Sequence, residues 1–203
     1  MKKGGFMKDA LILCAITLIA GACLGGVYEI TKEPIAATQK AAEEAAYRVV
    51  LPAAASFEAS DMTEAIAKAN EELGGQGFGN VSVDGCVAGL DGSGQTVGHV
   101  VTATSKDGYG GAVTVSVGIN SDGSIGAIEF LTLNETVGFG KNADDPAWKG
   151  QFSGKSADVL SVTKSGAPAD NEIDAVSGAT ITSNAVTGAV NAAVYFANNC
   201  LAQ

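Results

Sequence analysis

This chain of 203 residues is acidic, with 12 lysine and arginine residues against 22 aspartate and glutamate residues and a formal net charge of −10. Its length predicts one globular domain with an accessory segment. The charge argues against nucleic acid as a partner, because neutralising phosphates requires clustered Lys and Arg.

An uncharged apolar stretch, residues 10–28, is the first predicted element. At about 19 residues it is long enough to cross roughly 30 Å of hydrocarbon. We expect an uncleaved transmembrane helix, because the apolar run continues to Tyr28, a residue type common at membrane interfaces. A cleaved signal peptide or a lipoprotein signal is the alternative, since Ala20 and Ala22 are small residues before Cys23.

Charges on either side of this helix predict its orientation. Lysines precede it at Lys2, Lys3 and Lys8, whereas Glu29 and Glu33 follow it with only Lys32 between them. Positively charged flanks stay in the cytoplasm, so we expect residues 1–9 there and the carboxyl-terminal domain outside the membrane. Removing the three lysines and one aspartate of the first 28 residues leaves 9 basic and 21 acidic residues, a net charge of −12 for the rest of the chain. That charge should repel anionic lipid.

Two helices are expected after the membrane helix. Residues 29–55 form a predicted stalk, whose alanine-rich helix begins at Pro34 and ends before Pro52. A second helix is predicted over residues 62–73, with Asp61 and Glu64 as a capping box and a glycine pair at its end.

Residues 81–133 are rich in β-branched side chains and turn dipeptides. They predict a four-stranded antiparallel meander over residues 85–90, 96–105, 111–119 and 125–133. Glycines within these strands, such as Gly98, Gly118 and Gly126, indicate bulges or the close approach of a ligand.

The carboxyl-terminal part has a short predicted helix at residues 146–152 and a strand or loop at 158–163. A final helix has apolar residues at helical spacing from Val186 to Ala197 and is expected to be capped by Thr182 or Ser183. Residues 56–203 therefore predict an α+β domain, with helices packed on one antiparallel sheet.

Four cysteines are present, of which Cys14 and Cys23 fall in the membrane helix and Cys86 and Cys200 in the outer domain. An oxidising exterior permits a Cys86–Cys200 disulfide, but the sequence does not give the distance between them. The four have no metal-ligand spacing.

A glycine-rich loop follows the last predicted strand and reads Asn134-Glu-Thr-Val-Gly-Phe-Gly140. Its glycines let the backbone lie against a flat ring system, and Thr136 offers a polar contact. An ordinary turn leaving a strand is the alternative interpretation. Tyr109 lies in a second glycine-rich loop and is a further candidate, with a surface tyrosine in a hairpin loop as the alternative. Lys141 is a candidate phosphate ligand, although an ordinary solvated lysine is the favoured interpretation.

The segment Asp174-Ala-Val-Ser-Gly-Ala-Thr180 lies just before the final helix. Free N–H groups at a helix start attract anions, so the hydroxyl of Thr180 lies where a phosphate ester is favourable. Gly178 and Ala179 leave room for amides to approach a phosphate, and Ser177 offers it a hydrogen bond. A simple helix start is the alternative interpretation.

This segment resembles the acceptor motif of the G subunit of Rnf complexes and of the related C subunit of sodium-pumping NADH:quinone reductases. In that family a flavin transferase esterifies the phosphate of FMN to the motif threonine, here Thr180, and the resemblance implies that the transferase needs Asp174. The family's other loop usually reads Glu-Thr-Pro-Gly-Leu-Gly. Glu135 and Thr136 match it, together with Gly138 and Gly140, whereas Val137 and Phe139 depart from it.

The resemblance covers nearly the whole chain. It implies an electron-transfer subunit of a membrane complex that couples ferredoxin/NAD electron transfer to Na+ or H+ translocation, a redox subunit that is not catalytic alone. The implied partners are the other subunits and, during maturation, the flavin transferase. The implied cofactor is FMN on Thr180, with contacts from Ser177, Gly178, Ala179, Glu135, Thr136, Gly138, Phe139 and Thr182.

Two other functions stay open at this point. One is a free-standing membrane-anchored flavoprotein that transfers electrons outside the membrane. The other is a non-redox anchored binding domain whose Ser-Gly-Ala-Thr turn only begins a helix. The sequence does not decide the coupling ion.

Overall fold

The computed structural model describes residues 3–156, 158–166 and 168–201, with side chains described from residue 7 onward. The chain divides into two compact units, residues 1–42 and residues 43–203. Helix α1 (Lys3–Val50) supplies the first unit, and its last residues begin the second.

Helix α1 continues through Pro34, where we expected a separate stalk helix to begin. That expectation was wrong because proline has a helical φ, and this long helix continues despite the one backbone hydrogen bond that proline removes. Within the described part of the chain, α1 is the one helix long and apolar enough to cross a membrane.

A five-stranded antiparallel sheet, with its strands in chain order, forms the centre of the second unit. The strands are β1 (Ser56–Ala59), β2 (Val81–Leu90), β3 (Thr96–Ser105), β4 (Val113–Asn120) and β5 (Ile125–Leu133). The predicted meander is confirmed as β2 to β5, although β2 begins earlier and β4 later than expected. Strand β1 was missed because its four residues are mostly exposed and form a strand only by pairing with β2.

Helix α2 (Thr63–Leu73) ends before Gly74, as predicted, but lacks the predicted capping box. The Asp61 carboxylate accepts a hydrogen bond from the Thr63 hydroxyl at 2.9 Å instead. Because the helix begins at Thr63, Asp61 lies one residue too early to be its N-cap.

The carboxyl-terminal elements include two short strands that pair in parallel, β6 (Ser161–Thr163) and β7 (Glu172–Asp174). Strand β7 was not predicted, since three residues are too few to establish a periodic pattern. Helix α3 (Pro146–Lys149) with the 3-10 turn after it confirms the short helix. Helix α4 (Thr180–Phe196) begins two residues before the first predicted cap and passes into a π-helical turn, Ala197–Leu201.

Two hydrophobic clusters cover the faces of the sheet. The larger joins the sheet to α2 and α4, with fully buried side chains that include Leu73, Ile125 and Phe196. The smaller contains Val50 and Leu51 at the end of α1, packed with Val100 of β3. The predicted α+β fold, with helices on an antiparallel sheet, is confirmed.

The strand glycines make room for the chain itself and not for a ligand. A Cβ on Gly118 would lie 2.1 Å from the carbonyl oxygen of Val50, and one on Gly126 would lie 2.7 Å from the same atom. Of the two alternatives for these glycines, ligand approach was wrong, because the end of α1 occupies that space. A bulge is confirmed at Gly118, where the register between β4 and β5 shifts between Val117 and Ile119.

Cys86 and Cys200 are both free thiols in this structure. Cys86 is buried in the larger cluster, where loss of hydration raises the pKa of its thiol to about 12.

Candidate functional site

A cleft of about 530 Å³ lies between three segments of the second unit: the β3–β4 loop, the loop after β5, and the start of α4. Small-molecule and cofactor sites usually occupy roughly 300–1,000 Å³. The lining residues are Tyr109, Glu135, Thr136, Phe139, Gly140, Gly178, Ala179, Thr180, Ile181 and Thr182. Residues of the two motifs identified in the sequence therefore line the same cleft.

The start of α4 supplies an uncapped helix N-terminus to this cleft. Ala179 is the N-cap residue, so no side chain accepts from the first N–H groups. The first backbone bond into the helix is from the Ser183 N–H to the Ala179 carbonyl, at 3.0 Å. The N–H groups of residues 180–182 have no acceptor among the described residues. Such free donors, with the helix dipole, favour an anion beside Thr180.

Ser183 holds the turn before α4 from within the protein. Its hydroxyl is fully buried, accepts from the Val176 N–H at 2.9 Å and donates to the Ala179 carbonyl at 3.0 Å. The expected N-cap role of Ser183 or Thr182 is therefore wrong, because both residues lie inside the first turn of α4. The two hydrogen bonds of Ser183 fix the backbone that carries Thr180.

Accessibility separates the three hydroxyl residues at the start of α4. Thr180 is half-buried and lines the cleft, whereas Thr182 is 1% exposed and Ser183 is 0% exposed. Of these three hydroxyls, that of Thr180 is therefore the most accessible to a modifying enzyme.

Gly178 lets the turn before α4, which carries Thr180, lie against the loop that follows β5. Its φ is +74°, a left-handed conformation that glycine adopts without steric cost. A Cβ at this position would lie 3.2 Å from the ring of Phe139. Any larger residue at Gly178 would therefore strain the turn and displace the aromatic wall of the cleft.

Glu135 is a buried carboxylate in the wall of the cleft, 9% exposed. Its Oε1 accepts a hydrogen bond from the Tyr109 N–H at 2.9 Å, which joins the β3–β4 loop to the loop after β5. A Cβ on Gly140 would lie 2.7 Å from Glu135 Oε2 and 2.6 Å from Thr182 Oγ1. A side chain at residue 140 would therefore displace both polar groups, and glycine leaves room for them.

Several predicted site residues lie outside the cleft wall. Ser177 and Gly138 are exposed neighbours of lining residues, and the φ of Gly138 is +82°. The Asp174 carboxylate accepts from the Gly166 N–H at 3.2 Å. Lys141, weighed as a phosphate ligand against a solvated lysine, does not line the cleft and pairs with Asp144 at 3.3 Å.

Ile181 lines the cleft but was not selected from the sequence. Its position directly after Thr180 could have identified it, because consecutive residues in the first turn of a helix point about 100° apart and can line two sides of a cleft.

An ion-pair network joins strand β5 to residues 140–149, the segment that follows the cleft-lining loop after β5. The Lys149 ammonium lies 2.9 Å from Glu129 of β5 and 3.1 Å from Asp144. Burial alone would raise the pKa of Asp144, but hydrogen bonds from Lys149 and Lys141 outweigh it and lower that pKa. Burial likewise opposes the charged form of Lys149, yet its two carboxylate partners raise its pKa. The network ties the segment carrying Lys141 to the sheet.

Two family matches cover this chain. Residues 108–195, which include the whole cleft, match the FMN-binding domain. Residues 1–50 match the RnfG N-terminal region.

Individual relatives extend the likeness to nearly the full length. The G subunit of the Na(+)-translocating ferredoxin:NAD(+) oxidoreductase complex of Acetobacterium woodii is 35% identical over 197 residues, which cover 95% of this chain and 91% of that protein. The G subunit of the ion-translocating oxidoreductase complex of Methanosarcina acetivorans is 31% identical and covers 92% of each chain.

A related family matches over a shorter region. The C subunit of the Na(+)-translocating NADH-quinone reductase of Vibrio anguillarum is 33% identical over 103 residues, which cover 46% of this chain and 40% of that protein. The similarity to G subunits extends over nearly the whole chain, and the FMN-binding domain contains the cleft. This chain therefore belongs to the G-subunit family of the ion-translocating oxidoreductase complexes, the Rnf complexes.

Proposed function

We propose that this chain is the electron-transfer subunit of an Rnf-type complex and carries FMN covalently on Thr180. The observation that carries the proposal is the cleft itself, in which an accessible threonine hydroxyl, an uncapped helix start and an aromatic wall meet. Each of these features corresponds to one part of an FMN ester.

The cleft residues fit the two ends of FMN. The free N–H groups at the start of α4 and the compact turn at Gly178 favour a phosphate beside Thr180. Phe139 and Ile181 offer apolar surface for a flat ring, and Thr136 lines the same cleft. When bound, FMN supplies reversible electron uptake and release, while the protein sets its position and exposure.

Attachment requires an activated donor, because an alcohol and a free phosphate do not condense favourably in water. The Thr180 oxygen would form a bond to the phosphorus of an FMN phosphoanhydride supplied by the transferase. The anhydride bond breaks, and the hydroxyl proton leaves with the departing phosphate group, without any change in oxidation state. The covalent bond keeps the cofactor at a high effective concentration beside its cleft.

Charge supports the orientation of the chain in the membrane. Lysines precede the apolar part of α1 and acidic residues follow it, which favours a cytoplasmic amino terminus and an FMN domain on the opposite side. The partners are then the other subunits of a complex like those of the G-subunit relatives, of which the complex of Acetobacterium woodii is named for ferredoxin:NAD(+) oxidoreduction. Either Na+ or H+ is compatible with this chain as the coupling ion.

Peptide mass analysis tests the proposal. The full-length chain, isolated from cells that contain the flavin transferase, should carry one FMN phosphoester on the peptide that contains Thr180. Thr180→Ala should abolish the adduct, whereas Thr182→Ala, which changes a buried hydroxyl of the same turn, should keep it. An unmodified Thr180 peptide, or an adduct at another residue, would contradict the assignment.

A further inference from the structure

Exposed apolar side chains cluster at the mouth of the cleft. Six large hydrophobic residues of the second unit are exposed among those the structure describes; three of them line this cleft, and a fourth, Val137, directly follows the lining residue Thr136. We call these four residues the cleft rim. Their exposed fractions are 73% for Tyr109, 84% for Val137, 55% for Phe139 and 54% for Ile181.

A cofactor in the cleft would not by itself cover this rim. Val137 is the most exposed of the four and does not line the cleft, although it shares a turn with Phe139, whose N–H donates to the Thr136 carbonyl. Contiguous exposed apolar surface on a soluble domain usually marks an interaction site. Part of the rim is therefore free to contact another molecule while the cleft is filled.

The rim carries no charge, in contrast to the rest of the second unit. Among the described residues that line the cleft, Glu135 is the only carboxylate, and it is buried. Residues 43–203 contain 7 basic and 19 acidic residues, a net charge of −12. The cleft rim is thus an uncharged apolar patch on a unit that is acidic overall, and an apolar centre depleted of charge is typical of protein interfaces.

We propose that the cleft rim is the docking surface for another protein subunit of the redox complex, whose matching face is apolar at its centre and basic at its border. This inference rests on the proposed function, because a protein docked over the rim lies directly against the mouth of the FMN cleft. Complementary charge would orient the two proteins, and apolar contact would hold them together.

The charge of the domain argues against two other occupants. An anionic membrane surface would be repelled by a domain with a net charge of −12. A second copy of this chain would bring two such domains into contact, where like charges within the Debye length of about 8 Å at physiological salt repel each other. A basic-bordered protein face is the occupant that the electrostatics favour.

Matched substitutions test the docking surface in cells that make the whole complex. Val137→Asp places a charge on the rim without altering a cleft residue. Val159→Asp makes the same change at a valine that is 59% exposed and lies away from the rim. We expect Val137→Asp to retain FMN on Thr180 while recovery of the other subunits with the tagged chain falls at least tenfold, and we expect Val159→Asp to match the wild type in both.

Site-specific photo-crosslinking provides an independent measurement. A photoreactive residue at 137 should crosslink to another protein of the same complex, with a yield that falls as the salt concentration rises, and one at 159 should not. Crosslinking of 137 to a second copy or to lipid would overturn the inference. Wild-type recovery of partners by Val137→Asp, or loss of its FMN, would also overturn it. A wild-type chain without FMN would instead contradict the proposed function.

Discussion

The carbonyl oxygen of Val50 and the α-carbon of Gly118 are packed so closely that a Cβ on the glycine would lie 2.1 Å from that oxygen. Val50 is the last residue of α1, and Gly118 lies in β4. The end of α1 can therefore pack against the sheet because Gly118 has no side chain. Leu51, the neighbour of Val50, is fully buried in the same cluster.

Gly118→Ala should therefore destabilise the protein, because the new Cβ collides with main-chain atoms that cannot move alone. We expect a loss of about 2 kcal/mol or more in the free energy of unfolding. Gly85→Ala is the matched control, since a Cβ there meets nothing within 4 Å, and its effect should stay within about 0.5 kcal/mol. Thermal or urea unfolding of the full chain in detergent measures both, and equal stability of the two variants would contradict the packing.

Gly178→Ala should impair attachment of FMN more than it impairs folding. The left-handed φ costs an alanine roughly 1–2 kcal/mol, and the Cβ would press on Phe139. Misplacement of a reacting group by ~1 Å costs about 10²-fold in rate, so the rate of adduct formation should fall by roughly tenfold or more. Gly154→Ala, with a φ of +75° and open space around its Cβ, imposes similar strain away from the cleft. Equal FMN incorporation by both variants would show that the turn tolerates a side chain.

Ser183→Ala removes a buried hydroxyl that makes two hydrogen bonds, whereas Thr187→Val removes a buried hydroxyl that makes none to the described residues. Ser183→Ala leaves the buried Val176 N–H without its acceptor, so we expect a loss of about 1–3 kcal/mol and less FMN on Thr180. Thr187 Oγ1 is buried and has no hydrogen-bond partner among the described residues. Thr187→Val should thus be neutral or stabilising, with unchanged FMN content. Unfolding curves and in-gel flavin fluorescence report both effects.

Lys149→Met should destabilise residues 140–149, because the carboxylates of Glu129 and Asp144 would lose a largely buried ammonium partner. A loss of about 2–3 kcal/mol at pH 7 is expected. Lys141→Met, which breaks a more exposed pair with Asp144, should cost at most about 1 kcal/mol.

Measuring the stability of Lys149→Met and the wild type at acid pH provides the control for the loss of the ion pair. The folded-state pKa of Asp144 is lowered, so its stabilising contribution is present at neutral pH and is lost as the pH falls through that pKa. The deficit of Lys149→Met relative to the wild type should accordingly shrink in acid. A deficit that is independent of pH would indicate lost packing only.

Cys86 should make the folded protein less stable at alkaline pH. Burial raises the pKa of its thiol from 9.0 to about 12, so the unfolded chain releases this proton first as the pH rises. The contribution to stability is complete below about pH 9 and declines above it. Cys86→Ala should flatten this alkaline decline.

Thiol labelling checks the same burial. In the wild type at pH 8, the peptide that contains Cys86 should react only after denaturation, whereas half-buried Cys200 reacts earlier. Rapid labelling of Cys86 in the folded protein would contradict its buried position.

Local patterns in the sequence determined much of this protein. The uncharged run of α1, the alternation and turn dipeptides of β2 to β5, and the helical spacing of α4 are short-range signals, and the structure bears them out. The two motifs around Glu135 and Thr180 also identified most of the cleft, because the chemistry of each depends on adjacent residues.

Tertiary structure decided what depended on contacts between distant residues. Strands β1 and β7 exist only through pairing partners, and the strand glycines receive the end of α1, which no local pattern reveals. The same holds for Ser183, predicted as a cap but bonded to the turn that carries Thr180. Propensity and periodicity act over a few residues, whereas close packing and hydrogen-bond satisfaction are properties of the folded chain as a whole.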